Sequence, residues 1–262
     1  MPISKEIDKD LSRPSVLVTG TSGGIGSEIV KILSLSGWNV VGTDHPDTKI
    51  NLEIKNFCSQ WIPCNLTSIV KDNSLLNNFI AKVLSAIGPS PLKGIVHNAA
   101  IQTLGSFDEL SISDWQSTLD VNLLAPILIS KSLLPQLQAS QGSIVHIGSI
   151  HSQLTKPGFT AYATSKAALS GLTKAMAVEL GKQVRVNAIE PAAISTPMLE
   201  KGFKNNSNLR QQLDSCHPTG SIGSGSDVAS AVMFLLDPAQ RFLNGSIMNL
   251  GGGIHSRLHD PI

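Results

Sequence analysis

One tyrosine, Tyr162, serves the whole chain of 262 residues, and aromatic residues make up only 4% of it. Net charge is +1 and no block of basic residues stands out. The chain therefore lacks both the positive face and the stacking platforms that nucleic-acid binding requires, and nucleic acid is not an expected partner. Cysteine is scarce: Cys58, Cys64 and Cys216 are irregularly spaced and form no Cys-x-x-Cys pair. That excludes a disulfide framework and fits a reducing, cytoplasmic compartment. The histidines show no metal-ligand spacing, so no metal is expected. No uninterrupted apolar run reaches the roughly 18 residues of a membrane helix. The opening residues MPISKEIDKDLSRP are charged and polar, without the apolar stretch of a signal peptide. They read as a loose tail, residues 1–14, ahead of one catalytic domain over 15–262.

What the chain has is alternation. Short β-rich runs at 15–19, 38–43, 59–63, 92–97, 143–148, 184–189 and 245–250 alternate with helical patterns, including long ones over 70–87 and 111–139. This order predicts a single α/β domain, a doubly wound parallel sheet of about seven strands of the Rossmann type. The length suffices for one large core. Ser111 and Asp114 give a capping signal ahead of the 111–139 pattern, which carries Asn122 inside it. A buried helical asparagine needs partners; it is satisfied locally or holds a water. Residues 197–226 are polar and glycine-bearing and read as a lid or a variable surface loop.

The first strand runs into Gly20-Thr21-Ser22-Gly23-Gly24-Ile25-Gly26 and then a helical pattern through Ile29, Val30, Ile32 and Leu33. Strand, glycine-rich turn and helix start together form a pyrophosphate cradle, because backbone amides can approach the ligand at the positive helix end. The second strand ends at Asp44. A carboxylate there accepts hydrogen bonds from adenosine ribose hydroxyls and repels a 2′-phosphate, which points to NAD as cofactor. Asn65 and Leu66 follow the third strand, where an adenine would lie. Asn98, Ala99 and Ala100 follow the fourth, and their small size lets backbone and cofactor come close.

Ser149 ends the fifth strand, and the helical pattern from Phe159 to Leu180 carries Tyr162 and Lys166. Four residues apart on a helix, phenol and ammonium lie on one face. A free phenol has a pKa of about 10 and is a poor base at neutral pH. A neighbouring cation is expected to lower that value and make Tyr162 a proton carrier for carbonyl–alcohol chemistry.

Taken in order, these motifs resemble the short-chain dehydrogenase/reductase family over about residues 14–253. The T-G-x-x-x-G-I-G pattern is Thr19 to Gly26, the N-A-G element is Asn98-Ala99-Ala100 with alanine for glycine, and the Y-x-x-x-K motif is Tyr162 to Lys166. The resemblance implies a catalytic group of Asn122, Ser149, Tyr162 and Lys166. Tyr162 is then the acid/base, Ser149 the residue that polarises the substrate oxygen, and Lys166 the tuner of the tyrosine and holder of the nicotinamide ribose. Asn122 positions a water. It also implies cofactor contacts from Gly20, Ser22, Gly24, Ile25 and Gly26, and from Pro191, Ala192, Ile194 and Thr196, where Ala192 replaces the family's glycine. Family members are usually homotetramers or homodimers.

Around Asn98 to Gln102, at Ser149-Ile150-His151 and along Pro197 to Lys201, the sequence is similar to D-3-hydroxybutyrate dehydrogenases. Their glutamine and histidine bind a carboxylate; Gln102 and His151 match. Those enzymes carry a lysine where this chain has Phe159, and a glutamine where it has Gly202. The expected substrate is a small polar secondary alcohol, a hydroxy acid or a sugar derivative. An NADPH-dependent ketoreductase and a non-catalytic nucleotide sensor on the same fold remain as alternatives.

Overall fold

Ser15–Thr19 (β1) is buried at every residue. Val16 and Val18 pack into one hydrophobic core and Leu17 into another on the opposite side. A strand apolar on both faces belongs in the middle of a parallel sheet covered above and below. The computed structural model, which describes residues 13–203 and 207–258, places it there. The sequence expectation for the first twelve residues lies outside the described residues, as does that for 259–262.

The remaining strands are Asn39–Asp44 (β2), Gln60–Pro63 (β3), Leu92–His97 (β4), Ser143–Ile147 (β5), Arg185–Pro191 (β6), Ile194–Ser195 (β7), Gly223–Ser224 (β8) and Ile247–Leu250 (β9). Seven of them form a sheet ordered β3-β2-β1-β4-β5-β6-β9. All its pairings are parallel, in agreement with the expected fold class. β7 and β8 form a separate two-stranded ribbon. The helices are Gly24–Leu35 (α1), Leu52–Phe57 (α2), Leu66–Lys71 (α3), Asn73–Ile87 (α4), Ile112–Leu119 (α5), Ala125–Ser140 (α6), Thr160–Leu180 (α7), Pro197–Gly202 (α8), Ser207–Ser215 (α9) and Gly225–Leu236 (α10). Helices α4, α6 and α7 cover one face of the sheet; α1 and α10 cover the other.

Three elements differ from the sequence expectations. The pattern over 70–87 is broken at Asp72, whose side chain turns back to cap α4 through the Ser74 amide. The long helix over 111–139 is interrupted by a π-turn, Asp120–Leu124, although the Ser111–Asp114 capping box opens it as expected. The polar 197–226 segment, read as a lid or a variable surface loop, carries α8, α9 and β8 among its described residues. The helical stretch Ile112–Ser140 is long and apolar enough on average to cross a membrane, yet half of its apolar window is buried in the fold. Core helices share that composition.

Strand order reverses between β1 and β4, and the crevice at the carboxyl ends of these strands is where ligands bind in such sheets. The turns after β1, β2, β4, β5 and β6 all open onto one cleft of about 1350 Å³.

Candidate active site

At the mouth of β1 the chain needs glycine for two separate reasons. Gly20 has φ +72°, a left-handed conformation that strains other residues, and a Cβ there would fall 2.8 Å from the Ala99 Cα. A Cβ on Gly26 would collide with the Gly20 carbonyl oxygen, and one on Gly24 would sit 2.9 Å from Thr196 Cγ2. No side chain caps α1, so its first-turn N–H groups remain free for a ligand, and Ser22 Oγ, buried in the same turn, has no partner among the described residues. Gly20, Ser22, Gly24, Ile25 and Gly26 all line the cleft. This cradle fits a dinucleotide pyrophosphate.

Asp44 is tied to the cradle: its Oδ2 accepts from the Ser22 backbone N–H at 2.7 Å, and its Oδ1 accepts from His45 N–H at 3.1 Å. The carboxylate therefore holds a fixed place at the cleft edge. Asn65, beside Leu66 on the cleft wall, caps α3 through the Ser68 amide and lies 3.0 Å from His45 Nε2. Asn98 faces the other way. Its Nδ2 donates to the carbonyls of Thr19 and Gly20, at 3.0 and 2.8 Å, so it braces the glycine turn from behind. Thr19 completes that brace, its Oγ1 accepting from the amides of Asn98 and Ala99. Thr19 entered the sequence reading only as part of the glycine motif. Ala99 and Ala100 leave the cleft floor open.

Ser149, Tyr162 and Lys166 line the same cleft. Ser149 sits just past β5 and is buried; its Oγ accepts from His151 N–H at 3.2 Å. Lys166 is buried, and its Nζ donates to the Ile147 carbonyl at 2.8 Å while lying 5.7 Å from the centre of the Tyr162 ring. Asn122 does not line the cleft. The π-turn sets it against the strand end behind Ala100, where it bonds Ile101 by backbone N–H and C=O and donates to Ser165 Oγ at 2.9 Å.

A family model described as enoyl-(acyl carrier protein) reductase matches residues 20–255. A 2,5-dichloro-2,5-cyclohexadiene-1,4-diol dehydrogenase of Sphingobium indicum is 32% identical over 93% of this chain and 98% of its own. The ligand-free structure of Thermoplasma acidophilum aldohexose dehydrogenase superposes with a TM-score of 0.84 at 29% identity, covering 97% of this chain and 98% of its own. The chain belongs to the short-chain dehydrogenase/reductase family, a family of oxidoreductases. Solved members it resembles hold NADP or NADPH in some cases and NADH in another.

In this dehydrogenase/reductase the electrostatics of Tyr162 differ from the sequence expectation. Burial pushes the Tyr162 phenol above its ordinary value, and the Ser149 hydroxyl only partly opposes it. The expected lowering by Lys166 does not set the direction: burial does, and the Lys166 ammonium is turned onto the Ile147 carbonyl. Burial brings Lys166 down to about 8.

The far end of the cleft is aromatic. The His151 ring stacks on Phe159 at 4.3 Å and 7°, and both meet Tyr162 edge-on. His151 Nδ1 pairs with Thr155 Oγ1 at 2.9 Å, and Lys156 Nζ stands 4.8 Å over Phe159. Burial, reinforced by Lys156, holds His151 below the ordinary imidazole range. Gln102 lines the cleft here, and Pro191, Ala192, Ile194 and Thr196 form the opposite wall. Thr196 caps α8 through the Leu199 amide. Two features escaped the sequence reading. Glu190, fully buried behind this wall, accepts from Gln153 Nε2 and Ser170 Oγ. His217 and His255 both line the cleft, from segments distant in sequence. No spacing signal joins those two histidines.

Proposed function

We propose that this protein is an NAD-dependent dehydrogenase that interconverts a small polar secondary alcohol and its ketone. The observation that carries this reading is one cleft that holds Ser149, Tyr162 and Lys166 together with the uncapped glycine turn and Asp44. NAD bound along that turn supplies the acceptor for the hydride leaving the alcohol carbon. Everything else falls to the chain's own side chains. Ser149 Oγ hydrogen-bonds the substrate oxygen and fixes its place beside Tyr162. Tyr162 Oη takes the alcohol proton during oxidation and returns it during reduction. Lys166 spends one N–H on Ile147 and has two left for ribose hydroxyls. Asp44, held by Ser22, accepts from the adenosine ribose and repels a 2′-phosphate, hence NAD over NADP.

Asn122 acts in this scheme chiefly through the Ile101 peptide it grips. The oligomer is a homodimer or homotetramer, and the compartment is the cytoplasm. A phenol held above its ordinary range is protonated at neutral pH, which favours the reductive direction and gives weight to a second reading as a ketoreductase.

The deciding experiment follows reduced-nicotinamide absorbance with NAD or NADP and a panel of secondary alcohols, for wild type and Tyr162→Phe. Turnover with NAD, absent in the variant, is expected. NADH binding with no turnover of any alcohol or ketone would replace the enzyme reading with a nucleotide-sensing one.

A further inference from the structure

His217 is almost wholly buried, with 3% of its surface exposed, and it lines both the main cleft and a smaller adjoining cavity of about 270 Å³. Its Nδ1 lies 2.9 Å from the Leu213 carbonyl, which can only accept, so Nδ1 carries the proton. In the neutral ring Nε2 is then a bare lone pair, and among the described residues it has no partner. His255 Nε2, also buried, has none either. A buried unpaired acceptor is costly in a folded protein unless a water or a ligand hydroxyl completes it.

Both side chains line the same cleft, and the backbone holds their segments against each other. Gly251 leaves room for His255: a Cβ there would stand 2.5 Å from its Nδ1. Thr219 N–H donates to the Gly252 carbonyl at 3.2 Å, and Arg257 Nη1 donates to the carbonyls of Ser215 and Cys216 at 2.9 and 3.2 Å. The 215–219 and 251–257 segments are thus fastened to each other at the cleft wall.

We infer that His217 and His255 form a second, hydroxyl-binding subsite, so that the substrate is a polyol or hydroxylated compound whose distal O–H donates to His217 Nε2. This deepens the dehydrogenase reading and rests on it. A hydroxyl both donates and accepts, which suits an acceptor at His217 and either role at His255. A carboxylate has only lone pairs to offer and meets a lone pair at His217. Burial holds His255 below the ordinary imidazole range, with Glu190 opposing and His217 reinforcing, so His255 brings little anion-attracting charge near neutral pH. Arg257, at the exposed rim, has its Nη1 engaged by the two carbonyls.

The test uses the full chain with NAD and three matched sets at two chain lengths: 2-butanol and 2-hexanol, butane-1,3-diol and hexane-1,5-diol, 3-hydroxybutyrate and 5-hydroxyhexanoate. The expected kcat/KM for the better diol exceeds that of its mono-alcohol by about ten- to a hundred-fold, since a site built for a hydroxyl rejects the analogue without it. His217→Leu collapses that ratio toward unity, and His217→Gln, which restores an acceptor, recovers part of it. Gly251→Ala, which displaces His255, lowers the same ratio. In parallel, NMR of the imidazole nitrogens in the NADH-saturated protein should show a shift of His217 Nε2 with the diol and none with the mono-alcohol. A ratio near one in wild type, a ratio unchanged in His217→Leu, or a hydroxy acid preferred over its diol overturns the inference while leaving the dehydrogenase intact. No turnover of any compound, with the diol still moving the His217 signal, sinks the dehydrogenase reading and keeps the subsite. No turnover and no shift sinks both.

Discussion

Asn122 grips the peptide of Ile101 by both of its polar atoms. Its Oδ1 accepts from the Ile101 N–H at 2.9 Å and its Nδ2 donates to the Ile101 carbonyl at 3.0 Å. The same Nδ2 reaches Ser165 Oγ, which in turn donates to the Tyr162 carbonyl at 2.7 Å. One amide thereby joins the chain after β4 to the helix that bears Tyr162. The π-turn makes this possible, because its wider winding sets Asn122 facing the strand end.

Asn122→Ala leaves the Ile101 N–H and C=O without their partner. Each such loss costs about 1–3 kcal/mol. A lower melting temperature and weaker NADH binding are expected together, since Ala99 and Ala100 lie on the strand end being released. Asn122→Asp keeps an acceptor for the N–H but sets a carboxylate against the Ile101 carbonyl, and should not rescue. Turnover lost with melting temperature and NADH affinity unchanged would show that Asn122 acts on a water and not as a brace.

Because Tyr162 is the only tyrosine, phenolate absorbance reports it without interference. Burial predicts a midpoint above the ordinary value of about 10 in the free protein. The sign carries into rates. In the proposed mechanism alcohol oxidation needs the phenolate and should rise with pH through the alkaline range, while ketone reduction should hold until the phenol ionises. A midpoint below 10 would restore activation by Lys166 in the free enzyme. Tyr162→Phe is expected to lower kcat by roughly a hundred- to ten-thousand-fold with NADH affinity largely kept.

Asp44→Ser removes the charge proposed to repel a 2′-phosphate, together with the acceptor that holds Ser22 N–H. NADH binding should weaken and NADPH binding should strengthen, narrowing the preference by about ten- to a hundred-fold. Titration of both cofactors by fluorescence measures it. A preference unmoved by the substitution would place cofactor selection elsewhere in the chain.

Much of this was legible in local sequence because it depends on local geometry. The glycine spacing from Gly20 to Gly26 encodes a turn, and the interval from Tyr162 to Lys166 encodes one helix face; both stand as read. Asp44 and Asn98 were placed by the ends of their strands. What was hidden depends on packing. No residue type announces the π-turn at Asp120–Leu124, since its apolar pattern continues that of an ordinary helix. The direction of the Tyr162 shift is set by burial, which spacing does not encode. His217 and His255 reach one cleft only because two segments are fastened across the fold.

A last prediction concerns acid. His97 and His146 are paired on adjacent strands β4 and β5, buried, with ring centres 5.3 Å apart. Thr173 Oγ1 spends its proton on the Leu169 carbonyl, so His146 Nδ1 carries a proton and donates it to Oγ1 at 2.8 Å. Burial, reinforced by Lys166, brings His146 down to about 3, and burial with the neighbouring imidazole holds His97 well below its ordinary range. As pH falls below the ordinary imidazole value near 6.5, the unfolded chain takes up protons that the native protein refuses. The unfolded state then binds more protons, so stability drops with pH, by roughly 1.4 kcal/mol per pH unit for His146 alone until its folded value is reached. His97 adds in the same direction. Urea midpoints at about pH 7, 6 and 5 should therefore fall steeply, in a range above that of the carboxylates. In His146→Leu, which cannot titrate, the slope between those points should be visibly shallower. Parallel slopes in wild type and variant would mean that the pair is protonated, or solvated, within the native fold.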